Sequence, residues 1–129
     1  MVENKRGFRG LQVWQKAKAL AVTIYQSTRE GELSKDFGLR DQIRRAAISI
    51  CSNIAEGDER ETNKEAVRFL YIAKGSLAEL SCQVEIAHDI GYLTSEQNSF
   101  LQQECQSIGK MIGALIKIRS QQPKPYKGR

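Results

Sequence analysis

Residues 62–90 read TNKEAVRFLYIAKGSLAELSCQVEIAHDI, and the spacing of the apolar side chains in this stretch decides the fold. Ala66, Leu70, Ala73, Leu77, Leu80, Val84 and Ala87 fall alternately four and three apart. That repeat belongs to a helix whose one side is buried lengthwise against other helices. Thr62 followed three residues later by Glu65 is a capping box, in which the hydroxyl and the carboxylate each serve a backbone N–H that a first helical turn leaves unpartnered. The spacing predicts one long helix from Thr62 to near Gly91.

The same reading extends in both directions. A first helix is predicted from about Leu11 to Ser27, with Val13, Ala17, Leu20 and Ile24 on its seam and Trp14, Ala21 and Tyr25 widening it; Glu30, Gly31 and Glu32 break it. A second runs from about Asp36 or Phe37 to Glu56, facing Leu39, Ile43, Ala47, Ile50 and Ile54 inward, with Gly57 read as the left-handed residue beyond its end. Thr94 and Gln97 make a second capping box, behind which Leu101, Cys105, Ile108, Ile112 and Leu115 carry a fourth helix to about Arg119. A shared 3.5-residue period favours packing at roughly 20°, and short connections force neighbouring helices antiparallel. The expected fold is therefore all-α, an antiparallel up-down four-helix bundle over residues 11–120, between a mobile basic N-terminus (1–10) and a mobile basic tail (121–129).

The chain has 129 residues, enough to bury a core without disulfide or metal support. No apolar run approaches the roughly 20 residues of a membrane span, and MVENKRGFRG lacks the apolar centre of a signal peptide. The cytoplasm is the expected compartment. Cys51, Cys82 and Cys105 each sit in an apolar helical pattern and read as reduced core thiols. Net charge is +5, but residues 1–18 hold five cations against one anion, residues 19–104 nine against fourteen, and residues 105–129 six against none. Basic ends around an acidic middle point to an anionic partner.

Catalytic and metal-binding patterns are poorly supplied. Glu85 and His88 have the ExxH spacing of two-metal helical bundles, but such a site needs a second His and His88 is the only one, so no cofactor is expected. A Ser or Cys nucleophile would have this single His as its conventional base. Ser49, Asn53 and Glu56 form a polar line on the second helix, and Gly75, Ser76 and Glu79 sit on the third; either these are solvated faces or they form a polar network between packed helices or subunits. Gly75, Gly109 and Gly113 lie mid-helix at about 1 kcal/mol each relative to Ala, which close approach of a neighbouring helix would explain. Arg40, Arg44 and Arg45 form a basic cluster for which pairing with Asp36 and Asp41 is favoured over phosphate contact. No surface of interleaved basic and aromatic residues is evident. Val22, Ile48, Phe69, Ile72, Ile86, Ile90, Met111 and Ile118 lie off the seams, as part of a wide core stripe or as a subunit interface.

LQVWQKA, FGL with Gln42 to Arg45, SNIAEG ending at Gly57 with Arg60 beyond, and IAKGSLAEL together resemble the family of bundle proteins encoded in intervening sequences of bacterial 23S ribosomal RNA genes. The resemblance covers about Leu11 to Leu115. It implies a ring-shaped homo-oligomer, a homopentamer, with a nucleic-acid role and no recognised catalytic residues. Members commonly have Pro where this chain has Cys51, and often Pro in the first connection, where Gly31 and Leu33 stand here.

Residues and resemblance together lead to an oligomer without enzymatic activity that binds RNA or DNA by charge and shape. In an up-down bundle, the start of the first helix and the end of the fourth share a pole. The expected nucleic-acid-binding set is therefore Lys5, Arg6, Arg9, Lys16, Lys18, Lys117, Arg119, Lys124, Lys127 and Arg129, with Arg40, Arg44 and Arg45 as secondary candidates. Glu56, Asp58, Glu59 and Glu61 lie at the same end and partly oppose it. The rival expectation is an interaction module that recruits a protein partner and never touches nucleic acid.

Overall fold

The computed structural model describes residues 7–121. A 3₁₀ turn (Gly7–Gly10) leads into helix α1 (Gln12–Ser27); a second 3₁₀ turn (Glu32–Lys35) precedes α2 (Phe37–Asp58), followed by α3 (Asn63–Ile90) and α4 (Ser95–Gln121). The described residues include no strand. Three of the helix starts are set by side chains. Asp36 Oδ1 accepts from the Leu39 N–H at 3.1 Å, and Thr62 Oγ1 accepts from the Glu65 N–H at 3.1 Å. At α4, Thr94 Oγ1 accepts from the Gln97 N–H at 3.0 Å while the Gln97 carbonyl accepts from the Thr94 N–H at 2.8 Å, closing the box from both sides. Thr62→Ala removes the acceptor that opens the longest helix, so a loss of about 1 kcal/mol is expected, read as a lower denaturation midpoint at unchanged slope.

α1 packs on α2 and α4, and α3 packs on α2 and α4, so each helix is antiparallel to two neighbours. The seams meet in one core in which Ile43, Ile50, Ile54, Leu80, Val84, Ile108 and Ile112 are at most 1% exposed. Cys51 lies within an uninterrupted α2.

Gly57 departs from the sequence expectation. It is a buried residue inside α2, which continues to Asp58, and its φ is not positive. Its role is close packing: a Cβ there would stand 3.1 Å from both the Ala66 carbonyl oxygen and Phe69 Cβ on α3. The left-handed cap occurs instead at Gly91, φ +101°, where the Tyr92 N–H donates to the Ala87 carbonyl at 2.8 Å and closes the end of α3. Of the other mid-helix glycines, close packing within one chain accounts for Gly109 only, against a side chain of α3, and not for Gly75 or Gly113. A Cβ on Gly75 or Gly113 would meet nothing within 4 Å, and one on Gly109 would meet only Leu77 Cδ2, at 3.3 Å.

The thiols are not all in the core. Cys105 is buried, Cys51 is half-buried and Cys82 is exposed. Burial, with Glu104 adding to it, pushes the Cys105 thiol up to about 11, and burial also raises Cys51. Of the off-seam apolar residues, Phe69 and Met111 are half-buried, whereas Val22, Ile48, Ile72, Ile86, Ile90 and Ile118 are 40–54% exposed.

Candidate nucleic-acid interface

Short connections bring the start of α1, the α2–α3 connection and the end of α4 to one pole. Contacts there fix the arrangement: Arg119 Nη2 lies 3.4 Å from Asp58 Oδ1 and its Nη1 lies 3.3 Å from Asn63 Oδ1. The turn at Gly7 approaches the end of α2 closely enough that a Cβ on Gly7 would lie 3.1 Å from Glu59 Oε2. Carboxylates occupy two of the expected cations, one at this pole and one further along the bundle. Arg119 is held by Asp58, and Lys16 Nζ lies 3.4 Å from Glu104 Oε1. Arg9, Lys18 and Lys117 are exposed and form no ion pair among the described residues. Lys5, Arg6, Lys124, Lys127 and Arg129 lie outside the described residues.

Tertiary structure also assembles basic–aromatic pairs at this pole, against the expectation from sequence. Phe8 and Trp14 meet edge to face with ring centroids 5.0 Å apart. The Arg9 guanidinium lies 4.7 Å from the Phe8 centroid, and Lys18 Nζ lies 5.4 Å from that of Trp14. Near the start of α3, Phe69 has two guanidinium neighbours, Arg60 at 4.6 Å and Arg68 at 5.1 Å from its centroid. Arg60 also pairs with Glu56. The signal for the first group was a 3₁₀ turn folding Phe8 back onto α1, which no helical period announces. Arg9 beside Phe8, and Trp14 and Lys18 four apart, were the local parts of it.

The secondary arginines are used differently from one another. Arg40 pairs with Asp41, Nε to Oδ1 at 3.0 Å, and donates to the Ser34 carbonyl at 3.1 Å. Arg44 pairs with neither Asp36 nor Asp41 through any hydrogen bond or ion pair among the described residues. It donates from Nε to Thr28 Oγ1 at 2.8 Å and from Nη2 to the Thr28 carbonyl at 3.4 Å, and stacks 4.5 Å from the Tyr25 centroid. A cation placed on the last carbonyls of α1 meets the negative end of that helix. Asp36 spends its second oxygen on the Tyr92 hydroxyl at 3.0 Å, and this hydrogen bond raises the Tyr92 pKa. Arg45 is exposed.

The polar line divides as well. Ser49 Oγ and Ser76 Oγ lie 2.7 Å apart across the α2–α3 seam, and Asn53 Nδ2 donates to the Ser49 carbonyl at 2.8 Å and to Ser49 Oγ at 3.0 Å. Glu56 turns to Arg60, and Glu79 is exposed. His88 lies at the opposite pole, where Nδ1 is 3.3 Å from Asp89 Oδ1 and Nε2 is 3.3 Å from Ser95 Oγ. Asp89 is its exposed sequence neighbour and Ser95 begins α4, so these long contacts tie the end of α3 to the start of α4. Among the described residues no three His, Cys, Asp or Glu side chains gather to hold a metal ion. No described helix is long and apolar enough to cross a membrane.

Fold and pole together define an antiparallel four-helix bundle with a cationic, aromatic end. The chain belongs to the 23S rRNA-intervening sequence protein family, whose model matches residues 9–114. It is similar to a solved structure from Bacteroides thetaiotaomicron, a protein of unknown function from the S23 ribosomal protein family. The two are 27% identical with a TM-score of 0.75, over 81% of this chain and 98% of that one. No curated protein matches the chain.

Proposed function

We propose that this protein is a self-associating, non-catalytic bundle that binds structured RNA at the pole where α1 begins and α4 ends. The observation that supports this reading is the placement of Arg9 and Lys117 near one end, free of carboxylate partners among the described residues, next to the two chain ends that carry most of the remaining unopposed positive charge, with the equally unpaired Lys18 one turn beyond Trp14 on α1, beside Ile48 and Cys51 of α2. The family's name, taken from 23S rRNA intervening sequences, agrees with an RNA partner. Each phosphate neutralised releases counterions, so affinity falls as salt rises, by about 0.7 to 0.9 logarithmic units per tenfold salt for each contact. Deleting residues 122–129 removes Lys124, Lys127 and Arg129, and the slope should become shallower by about two. An RNA-binding salt series on the full chain, the shortened chain and Arg45→Ala checks this. Equal slopes for the first two, with loss only in Arg45→Ala, would move the site to α2 and refute the polar one.

Self-association draws on a second set of residues. Ile72, Ile86 and Ile90 recur along the outer side of α3 with Gly75, and all three isoleucines are at least 40% exposed in the single chain. Exposed apolar side chains on one helix face, here interrupted by Glu79 and Gln83, are a common subunit contact, and a ring would set several basic poles side by side. Light scattering should give a mass near that of five subunits, whereas a monomer at micromolar concentration would refute the assembly. The same face favours the rival reading, a module that recruits a protein without contacting nucleic acid. Absence of salt-dependent RNA binding in an assembled ring would select that alternative.

A further inference from the structure

From the basic–aromatic pairs at the pole, we infer that the RNA it takes presents unpaired bases, which stack on Trp14 and Phe69 while Arg9, Lys18 and Arg68 hold the adjoining phosphates. This inference rests on the pole being the RNA-binding surface and specifies what kind of RNA that surface accepts. A purely electrostatic patch needs no rings. Here each of three rings, Phe8, Trp14 and Phe69, carries a cation within 5.4 Å of its centroid. Trp14 and Phe69 are half-buried; Trp14 packs in part against the core, and each ring keeps a part open to solvent.

The two groups occupy one end of the molecule for independent reasons. Phe8 and Trp14 are held together by the 3₁₀ turn, which also approaches Glu59 at the end of α2. Phe69 is brought against α2 by the missing side chain of Gly57, which its Cβ nearly touches. A lysine or arginine resting on a ring in the free protein holds a place that a base can take, because the face of a nucleobase stacks on an aromatic ring as a guanidinium does. The displaced cation then stays within reach of the neighbouring phosphate. A base in a duplex has both faces covered by its neighbours and cannot stack this way, so the arrangement discriminates by pairing state. Sequence preference is not part of it, since every base offers a face.

Trp14 is the only tryptophan in the chain, so its emission reports on this ring alone. Single-stranded oligo(A) RNA should quench Trp14 fluorescence in the full-length protein, and an oligo(A)·oligo(U) duplex of equal length should not. Binding followed by anisotropy of a labelled strand should be about tenfold tighter for the single strand. Trp14→Leu and Phe69→Leu should each weaken single-strand binding about tenfold while leaving duplex binding unchanged, the loss expected for one stack. Trp14→Phe, which keeps a ring, should recover most of the affinity and separates stacking from a folding defect. Equal affinity for single strand and duplex, with Trp14 emission unchanged, would overturn the stacking inference and leave a charge-driven pole standing. Salt-dependent binding of neither RNA would remove both that pole and the inference built on it.

Discussion

Ile50→Ala should cost about 2–5 kcal/mol, the range for truncating a large aliphatic side chain in a closed core. Ile50 is 0% exposed, near the middle of α2, where the inner faces of the bundle meet. Rigid neighbours on other helices cannot collapse fully into the space left, so the lost contacts add to the lost transfer energy. The measurement is a denaturant titration at low protein concentration, with the midpoint falling and the slope unchanged. Ile48 provides the comparison, being two residues away on the same helix but 43% exposed. Ile48→Ala should change the stability of the isolated chain by less than about 0.5 kcal/mol. A larger, concentration-dependent loss for Ile48→Ala would place that residue in a subunit contact.

The second large effect is expected at Gly57. Gly57→Val should destabilise the protein by about 3 kcal/mol, at the upper end of overpacking penalties. The first added carbon already lies 3.1 Å from a backbone oxygen on α3, which cannot rotate away as a side chain end can, and valine adds two more. Gly57→Ala should cost less, about 1 kcal/mol, because a helix interior favours Ala over Gly by about that much and offsets part of the clash. If α2 and α3 are pushed apart, the Ser49–Ser76 hydrogen bond, 2.7 Å across the same seam, is lengthened with them. Stability equal to or above that of the parent for both variants would show that the seam yields freely and would contradict the close-packing role.

Gly57 also shows where local reading ends. A glycine after an apolar helical pattern reads as a left-handed stop, and Gly91 is such a stop because no side-chain-bearing residue adopts its φ of +101° cheaply. Gly57 has the same local setting, yet the helix runs through it, since what excludes a side chain there is another helix. The arginines behave alike: Arg40 finds a carboxylate next to it in sequence, while Arg44 reaches sixteen residues back to Thr28. Pairing by proximity in sequence was legible for the first and invisible for the second.

By itself the sequence determined the bundle, because a period of three and four is a property of each helix alone, and capping boxes act within one turn. It likewise determined that positive charge concentrates at the chain ends, since charge is counted residue by residue. Tertiary structure alone decided which cations remain free of carboxylates, that Phe8 folds onto Trp14, that Phe69 lies between Arg60 and Arg68, and which glycine keeps two backbones close. Apart from Arg68 beside Phe69, these contacts join different elements, and their partners are chosen by turn geometry, helix packing angle and register, quantities that a helical repeat leaves open.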